Sequence, residues 1–389
     1  MKRFTRCGII FVIVITMMLF SVLLLQYNSE DFSLSESSFG LAGVARPQAT
    51  EPNIAPPLNS TSNNLELNDG DTPFSSRHAN ASIVMLARNS DLEGARKSIL
   101  QLEARFNHRF QYPYVFLNEL EFTEDFKSMV KSVTNATVEF GIIPSDHWNQ
   151  PDWIDEVQAS QARKAMAEDG VKYGGSVAYR NMCRFNSGFF FKHELLQKYR
   201  WYWRVEPNVR FHCDINFDPF LYMEDNDKVY SFTIATYEIV ETISSLWTSV
   251  KSFMSLHPEF VVQNNSMNFL SLTWGRTYNR CHFWSNFEIA DMEFWRGPAY
   301  SSFFDYLDLK GGFYYERWGD APVHSIAASL FARSDQIHFF EEIGYQHDDW
   351  SHCPLNKEIW EKGNCDCSRD HSFDYDDSSC KKFWDRISH

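Results

Sequence analysis

Apolar positions along the chain follow two periods. ASIVMLA (81–87) and PYVFLN (113–118) are short, nearly continuous apolar runs, the mark of strands buried on both faces. Between them Leu92, Ala95, Ile99, Leu102 and Phe106 recur every three or four residues, which predicts an amphipathic helix starting after Asn89-Ser90. TEDFKSMVKSV (123–133) predicts a second helix. Further strands are predicted at WYWRVE (201–206), KVYSFTIA (228–235) and IHFFEE (337–342), and helices near 152–168, 181–199, 238–256, 291–308 and 322–332. Strand and helix alternate, so the expected fold is α/β: a largely parallel sheet with helices on both faces. No repeat and no second linker interrupts the pattern, and residues 77–389 read as a single domain.

The first part of the chain reads differently. Lys2, Arg3 and Arg6 precede an uncharged stretch from Cys7 to Leu25, just long enough as a helix to cross a hydrocarbon core of about 30 Å. A cleavable signal peptide competes with this reading, but its apolar region usually spans about 7–15 residues, and no A-x-A-like site follows Leu25. The expectation is a cytosolic tail over 1–6, a transmembrane signal anchor over 7–25 and a type II topology, because the basic residues lie before the span. Residues 26–76 are rich in Ser, Asn and Pro with little periodicity and are expected to form a flexible luminal stem. N-x-S/T sequons at Asn59, Asn80, Asn135 and Asn264 agree with a luminal body.

Composition narrows the class. Thirty-six Lys and Arg against 51 Asp and Glu leave a net charge of −15, so a nucleic-acid partner is not expected. Aromatic residues make up 16% of the chain, ample for a large core and against wholesale disorder. With Cys7 set aside, seven cysteines remain, an odd number that leaves at least one unpaired within the chain. The C-terminal spacing C-x11-C-x-C-x12-C admits zinc, but the C-x-C step and an oxidising lumen favour disulfides.

In open α/β sheets ligands bind beyond the C-terminal ends of the strands. No G-x-G-x-x-G or Walker sequence is present. The predicted strand ends and nearby segments instead carry Arg88-Asn89, Glu206-Pro207-Asn208, Glu288 in an aromatic setting, Glu316, Asp320 and His324, and Glu341, Glu342 and His347. Any one of these acids is ordinarily a solvated or ion-paired side chain. Together, oxygen donors with an imidazole suit Mn²⁺ or Mg²⁺ better than a sulfur-preferring ion. Trp201, Trp203, Trp284 and Trp318 read as core, His324 as a packed helical residue, and Tyr179 and Arg180 as either caps of the Cys183 helix or ligand contacts.

Four long stretches, AYRNMCRFNSGFFFKHELL (178–196), WYWRVEPNVRFHCDINFDPFLYMEDNDKVYSFTI (201–234), CHFWSNFEIADMEFWR (281–296) and GGFYYERWGDAPVHSIAASLF (311–331), resemble the fungal Golgi α-1,2-mannosyltransferases of glycosyltransferase family fifteen. The resemblance runs in order through the whole body. It implies a GT-A fold with a Rossmann-like mixed sheet, GDP-mannose as donor, Mn²⁺, a mannosylated glycoprotein or oligosaccharide acceptor, retention of configuration, and a type II Golgi anchor in the membrane. It also implies roles: Glu206 and His347 as metal ligands, Glu288 as the carboxylate beneath the anomeric carbon, Tyr179 as a donor or acceptor contact, Asp320 as a sugar-binding acid and Arg88 as a residue near the nucleotide. Asn208 stands where many relatives carry an acid, which puts a second carboxylate ligand in doubt. A luminal glycoside hydrolase and a catalytically inactive sugar-binding relative are the competing classes.

Overall fold

The computed structural model describes residues 77–388; the predicted tail, anchor and stem lie outside the described residues. Among the described residues no helix is long and apolar enough to cross a membrane.

The described residues form twelve strands: β1 (Ala81–Leu86), β2 (Tyr114–Asn118), β3 (Val138–Ile142), β4 (Trp201–Arg204), β5 (Arg210–Phe211), β6 (Tyr230–Phe232), β7 (Ala235–Tyr237), β8 (Cys281–Phe283), β9 (Glu288–Asp291), β10 (Ile337–Phe339), β11 (Tyr345–His347) and β12 (Trp350–His352). Seven of them build the main sheet in the order β10-β6-β9-β4-β1-β2-β3. All run parallel except β9, which is antiparallel to both β4 and β6. The sheet is therefore mixed. β9 was not expected as a strand because its EIAD sequence has an acid at each end and no apolar run to reveal it.

Alternation sends side chains to two cores. Ala81, Ile83 and Met85 of β1, Trp201 and Trp203 of β4 and Ile289 of β9 enter one; Val84, Tyr202 and Ala290 enter the other. Helices α1 (Leu92–Leu102) and α2 (Glu124–Val133) cover the first face with Ala95, Ile99, Leu102, Phe126 and Val130. On the second face lie α3 (Glu156–Glu168), α4 (Val177–Gly188), α5 (Leu246–Leu256), α6 (Pro298–Leu309) and α7 (Asp320–Phe331).

Several predicted boundaries shift for local reasons. The helix expected over 181–199 begins earlier, where the Ser176 side chain caps the Tyr179 amide, and ends at Gly188. Gly188 sits so close to Phe304 that a Cβ would fall 2.0 Å from its ring, so close packing fixes a glycine there. The helix expected over 291–308 is broken at Gly297-Pro298 into Met292–Arg296 and α6. KVYSFTIA divides into β6 of the main sheet and β7, which pairs with β8 in a separate hairpin.

Among the described residues, Cys213–Cys365 and Cys281–Cys380 stitch the C-terminal segment to the body, and a third disulfide, Cys353–Cys367, closes a loop within it. Cys183 is left as a buried free thiol, which accounts for the odd count and disposes of the zinc alternative.

Candidate active site

The order in which strands are added reverses at β1: β2 and β3 are laid down on one side of it and β4, parallel to it, on the other. That is a topological switch point, where the C-terminal strand ends splay and leave a crevice. A cleft of about 470 Å³ opens there. Arg88, Tyr179, Glu206, Asp320 and His347 all line it, although they come from five separate parts of the chain.

The floor is organised by a residue that sequence reading did not single out. Arg204, at the end of β4, donates from Nε to Glu206 Oε1 at 2.7 Å and from Nη1 to Asp320 Oδ2 at 2.6 Å. Ser285 Oγ donates to the same Asp320 oxygen at 2.7 Å. Burial pulls the Arg204 pKa down, but the charges of Asp320, Glu206 and Glu288 outweigh it and the guanidinium is held protonated. Burial likewise pushes the Asp320 carboxyl up, yet Arg204, His324 and Ser285 bring it below its ordinary value. Both members of this pair thus stay charged. The sequence signal was present: a lone cation inside the apolar run WYWRVE must find a partner when that strand is buried.

His347 ends β11 beside the turn at Asp348, with its ring edge-on to Trp284 at 5.3 Å between centroids. Its Nδ1 is buried without a hydrogen bond, and the nearest carboxylate oxygen, Asp348 Oδ2, is 3.9 Å away. An orphaned imidazole nitrogen and a carboxylate with one oxygen engaged, lining the same cleft, fit a hard divalent cation. Among the described residues no group of three or more His, Cys, Asp or Glu is gathered for a metal, so two protein donors leave the remaining positions to ligand and water. Asn208 adds nothing: at φ 65° its amide donates to the Gly94 carbonyl of α1, and it does not line the cleft.

Tyr179, also in the cleft lining, has two neighbours against its ring. Tyr173 stacks on it at 4.4 Å with 17° between planes, and the Arg317 guanidinium lies 5.1 Å from its ring centroid. Burial pushes the Tyr179 phenol well above its ordinary pKa, so it remains a neutral hydroxyl. Arg317 donates to Glu238 Oε1 at 3.3 Å. Arg180 is no cap; it is buried, with its guanidinium donating to the carbonyls of Gly174, Ser176 and Glu316. Arg88 faces Glu119 at 3.5 Å on the opposite rim.

Glu288 is the exception among the expected site residues. It is fully buried and does not line the cleft. Its oxygens accept from Tyr202 Oη at 2.7 Å and Tyr230 Oη at 3.1 Å, and the His324 Nδ1 lies 3.1 Å away. Burial and the Glu288 charge push both phenols up, keeping them as donors. Glu288 pairs across the strands with Arg204 and so lies beside it on the same face of the sheet, where the two line a small internal cavity. His324 packs in the core as expected and also bonds the Asn186 carbonyl at 3.1 Å. Glu316 is structural, accepting from Trp318 Nε1 and the Ser245 amide. Trp201, Trp203 and Trp318 are core, but Trp284 is not: it lines the cleft.

Comparisons with known proteins identify the family. The family profile described as glycolipid 2-alpha-mannosyltransferase matches residues 43–389. Glycolipid 2-alpha-mannosyltransferase 2 of Candida albicans is 49% identical over 316 residues, 81% of this chain and 68% of that protein. Alpha-1,2 mannosyltransferase KTR1 of Saccharomyces cerevisiae is 50% identical over 300 residues, 77% of this chain and 76% of its own length. Among solved structures, mannosyltransferase Ktr4p from S. cerevisiae in complex with GDP superposes with a TM-score of 0.77 at 42% identity, covering 80% of this chain and 82% of that one. Core-mannan synthase A from Aspergillus fumigatus in its Mn/GDP form gives 0.75 at 36% identity, covering 82% and 87%. The chain belongs to the glycolipid 2-alpha-mannosyltransferase family.

Proposed function

We propose that this protein transfers mannose from GDP-mannose to a mannose-bearing acceptor, forming an α-1,2 linkage with retention, in the elongation of protein-linked glycans and cell-wall mannan. The observation that carries the reading is the switch-point cleft in which Glu206, His347, Arg204 and Asp320 converge. Family relatives named as alpha-1,2-mannosyltransferases and related structures holding GDP, in one case with Mn, support it.

Glu206 and the free nitrogen of His347 are the groups that would hold Mn²⁺, which when bound supplies positive charge to a departing diphosphate. Arg88 on the rim serves the nucleotide, and Asp320, held by Arg204 and Ser285, presents an oxygen to the sugar. Tyr179, neutral and half-buried, offers a hydroxyl from the cleft wall. Glu288 acts from beside Arg204: a covalent sugar adduct would require its carboxylate to leave the Tyr202 and Tyr230 hydroxyls. The reading proposed is same-face attack, with Glu288 contributing fixed negative charge beside Arg204.

The same reading puts the catalytic unit in the Golgi lumen behind a type II membrane anchor. Three disulfides support an oxidising compartment. The test is to incubate the full-length protein with GDP-mannose, Mn²⁺ and methyl α-mannoside and to determine the product linkage by NMR. An α-1,2-linked disaccharide is expected; free mannose as the sole product, or no turnover, contradicts the proposal.

A further inference from the structure

The cleft is lined by four cationic side chains against six acidic ones, so its formal charge is negative while its proposed ligand is an anion. The divalent cation offsets part of this. A side chain free to turn toward phosphate is still needed, and the cations differ in how tightly they are held. Arg204 and Arg317 are buried in pairs with acids. Arg88 lies on the rim beside Glu119. Lys172 reaches across the cleft to Asp348 at 3.8 Å, too long for a hydrogen bond, and both side chains are exposed, 64% and 60%.

The backbone that carries Lys172 is pinned. Val171 and Gly174 are tied back by hydrogen bonds to the Met166 and Val171 carbonyls, and Arg180 Nη1 donates to the Gly174 carbonyl at 2.7 Å. Gly174 packs so closely on Met166 that a Cβ would lie 2.8 Å from its backbone. The next residue, Tyr173, stacks on Tyr179 in the site wall. A fixed backbone thus presents an exposed cation at the cleft, its ammonium 5.5 Å from the Tyr173 ring centroid, and its present partner, Asp348, adjoins His347, where the metal and diphosphate are expected.

The geometry points to Lys172 as a diphosphate-binding residue that exchanges Asp348 for the phosphate oxygens of a bound nucleoside diphosphate, and so stabilises the leaving group. This rests on the reading that the cleft takes such a nucleotide. The phosphate and Asp348 compete for one ammonium, so the two side chains have opposite effects on binding: the lysine aids it and the aspartate opposes it.

The experiment is calorimetric titration of GDP in the presence of Mn²⁺ into full-length wild type, Lys172→Met, Lys172→Arg and Asp348→Asn, with thermal melting as a folding check. Lys172→Met is expected to weaken GDP binding about tenfold, the loss of one charge-assisted contact, and Lys172→Arg to restore it. Asp348→Asn is expected to tighten binding by about two- to fivefold, the range for an exposed competing pair. A loss below about threefold in Lys172→Met, no restoration by Lys172→Arg, or no tightening in Asp348→Asn overturns the assignment. A wild type that does not bind GDP overturns the functional reading and this inference together, whereas wild-type binding with Lys172→Met unaffected overturns Lys172 alone.

Discussion

Glu206, two residues beyond the end of β4, and Glu288, the first residue of the neighbouring β9, flank the same arginine, yet their surroundings are opposite. Glu206 has one oxygen on Arg204 and stands at the cleft wall. Glu288 has both oxygens engaged by buried groups and is itself fully buried beside that arginine. A carboxylate with an uncommitted oxygen can meet a cation that arrives with a ligand. One whose hydrogen bonds are all satisfied in the interior acts only through its charge and the shape it imposes. The difference lies in partners and burial.

The comparison is broken most severely at Glu288. Glu288→Ala leaves the Tyr202 and Tyr230 hydroxyls and His324 without their acceptor, and should destabilise the fold by about 3–5 kcal/mol in urea unfolding. Little loss of stability would show that the network is not the support described. Next in size is Glu206→Ala. Removing a group that stabilises developing charge typically lowers turnover by about 10²–10³, while the melting temperature should hold because only one hydrogen bond is lost. A folded variant with near-normal turnover removes Glu206 from the chemistry.

Acid titration sharpens the middle of the comparison. The folded-state pKa of Asp320 is lowered by Arg204, His324 and Ser285 despite its burial. Its contribution to stability is therefore fully present above the ordinary carboxylate pKa of about 3.9 and is lost as pH falls through the lowered folded value. The stability profile above about pH 5 should be flat with respect to this pair, and Asp320→Asn should remove part of the acid limb below it. An unchanged acid limb would count against the Arg204–Asp320 pair. The smallest effect is expected from Arg88→Ala, whose exposed pair with Glu119 is worth about 0.2–1 kcal/mol or less to folding; a larger loss of stability would mean the rim is more tightly built than the geometry indicates.

How far such features were legible in the sequence follows from whether they are local. β1, β2 and β4 announce themselves as apolar runs because both their faces are buried, and α1 by its spacing. β9 was hidden: its acids are satisfied by Arg200 and by Tyr202 and Tyr230 from other strands, and no local pattern predicts those partners. In the same way Arg88, Tyr179, Glu206, Asp320 and His347 were named in advance and are brought to one cleft. The depth of Glu288 was not legible, nor were the roles of Arg204 and Lys172, because each depends on which segments fold against one another. Trp284 read as core because aromatic residues usually are; its neighbour His347 holds it at the cleft edge instead.

The account turns on which of the two acids meets the ligand, and one titration series separates them. GDP is titrated calorimetrically, with and without Mn²⁺, into full-length wild type, Glu206→Ala, His347→Ala and Glu288→Gln. The prediction is metal-dependent GDP binding in wild type, loss of that metal dependence in Glu206→Ala and His347→Ala, and near wild-type affinity in Glu288→Gln. Metal-dependent binding that survives in Glu206→Ala and His347→Ala but disappears in Glu288→Gln would contradict the account.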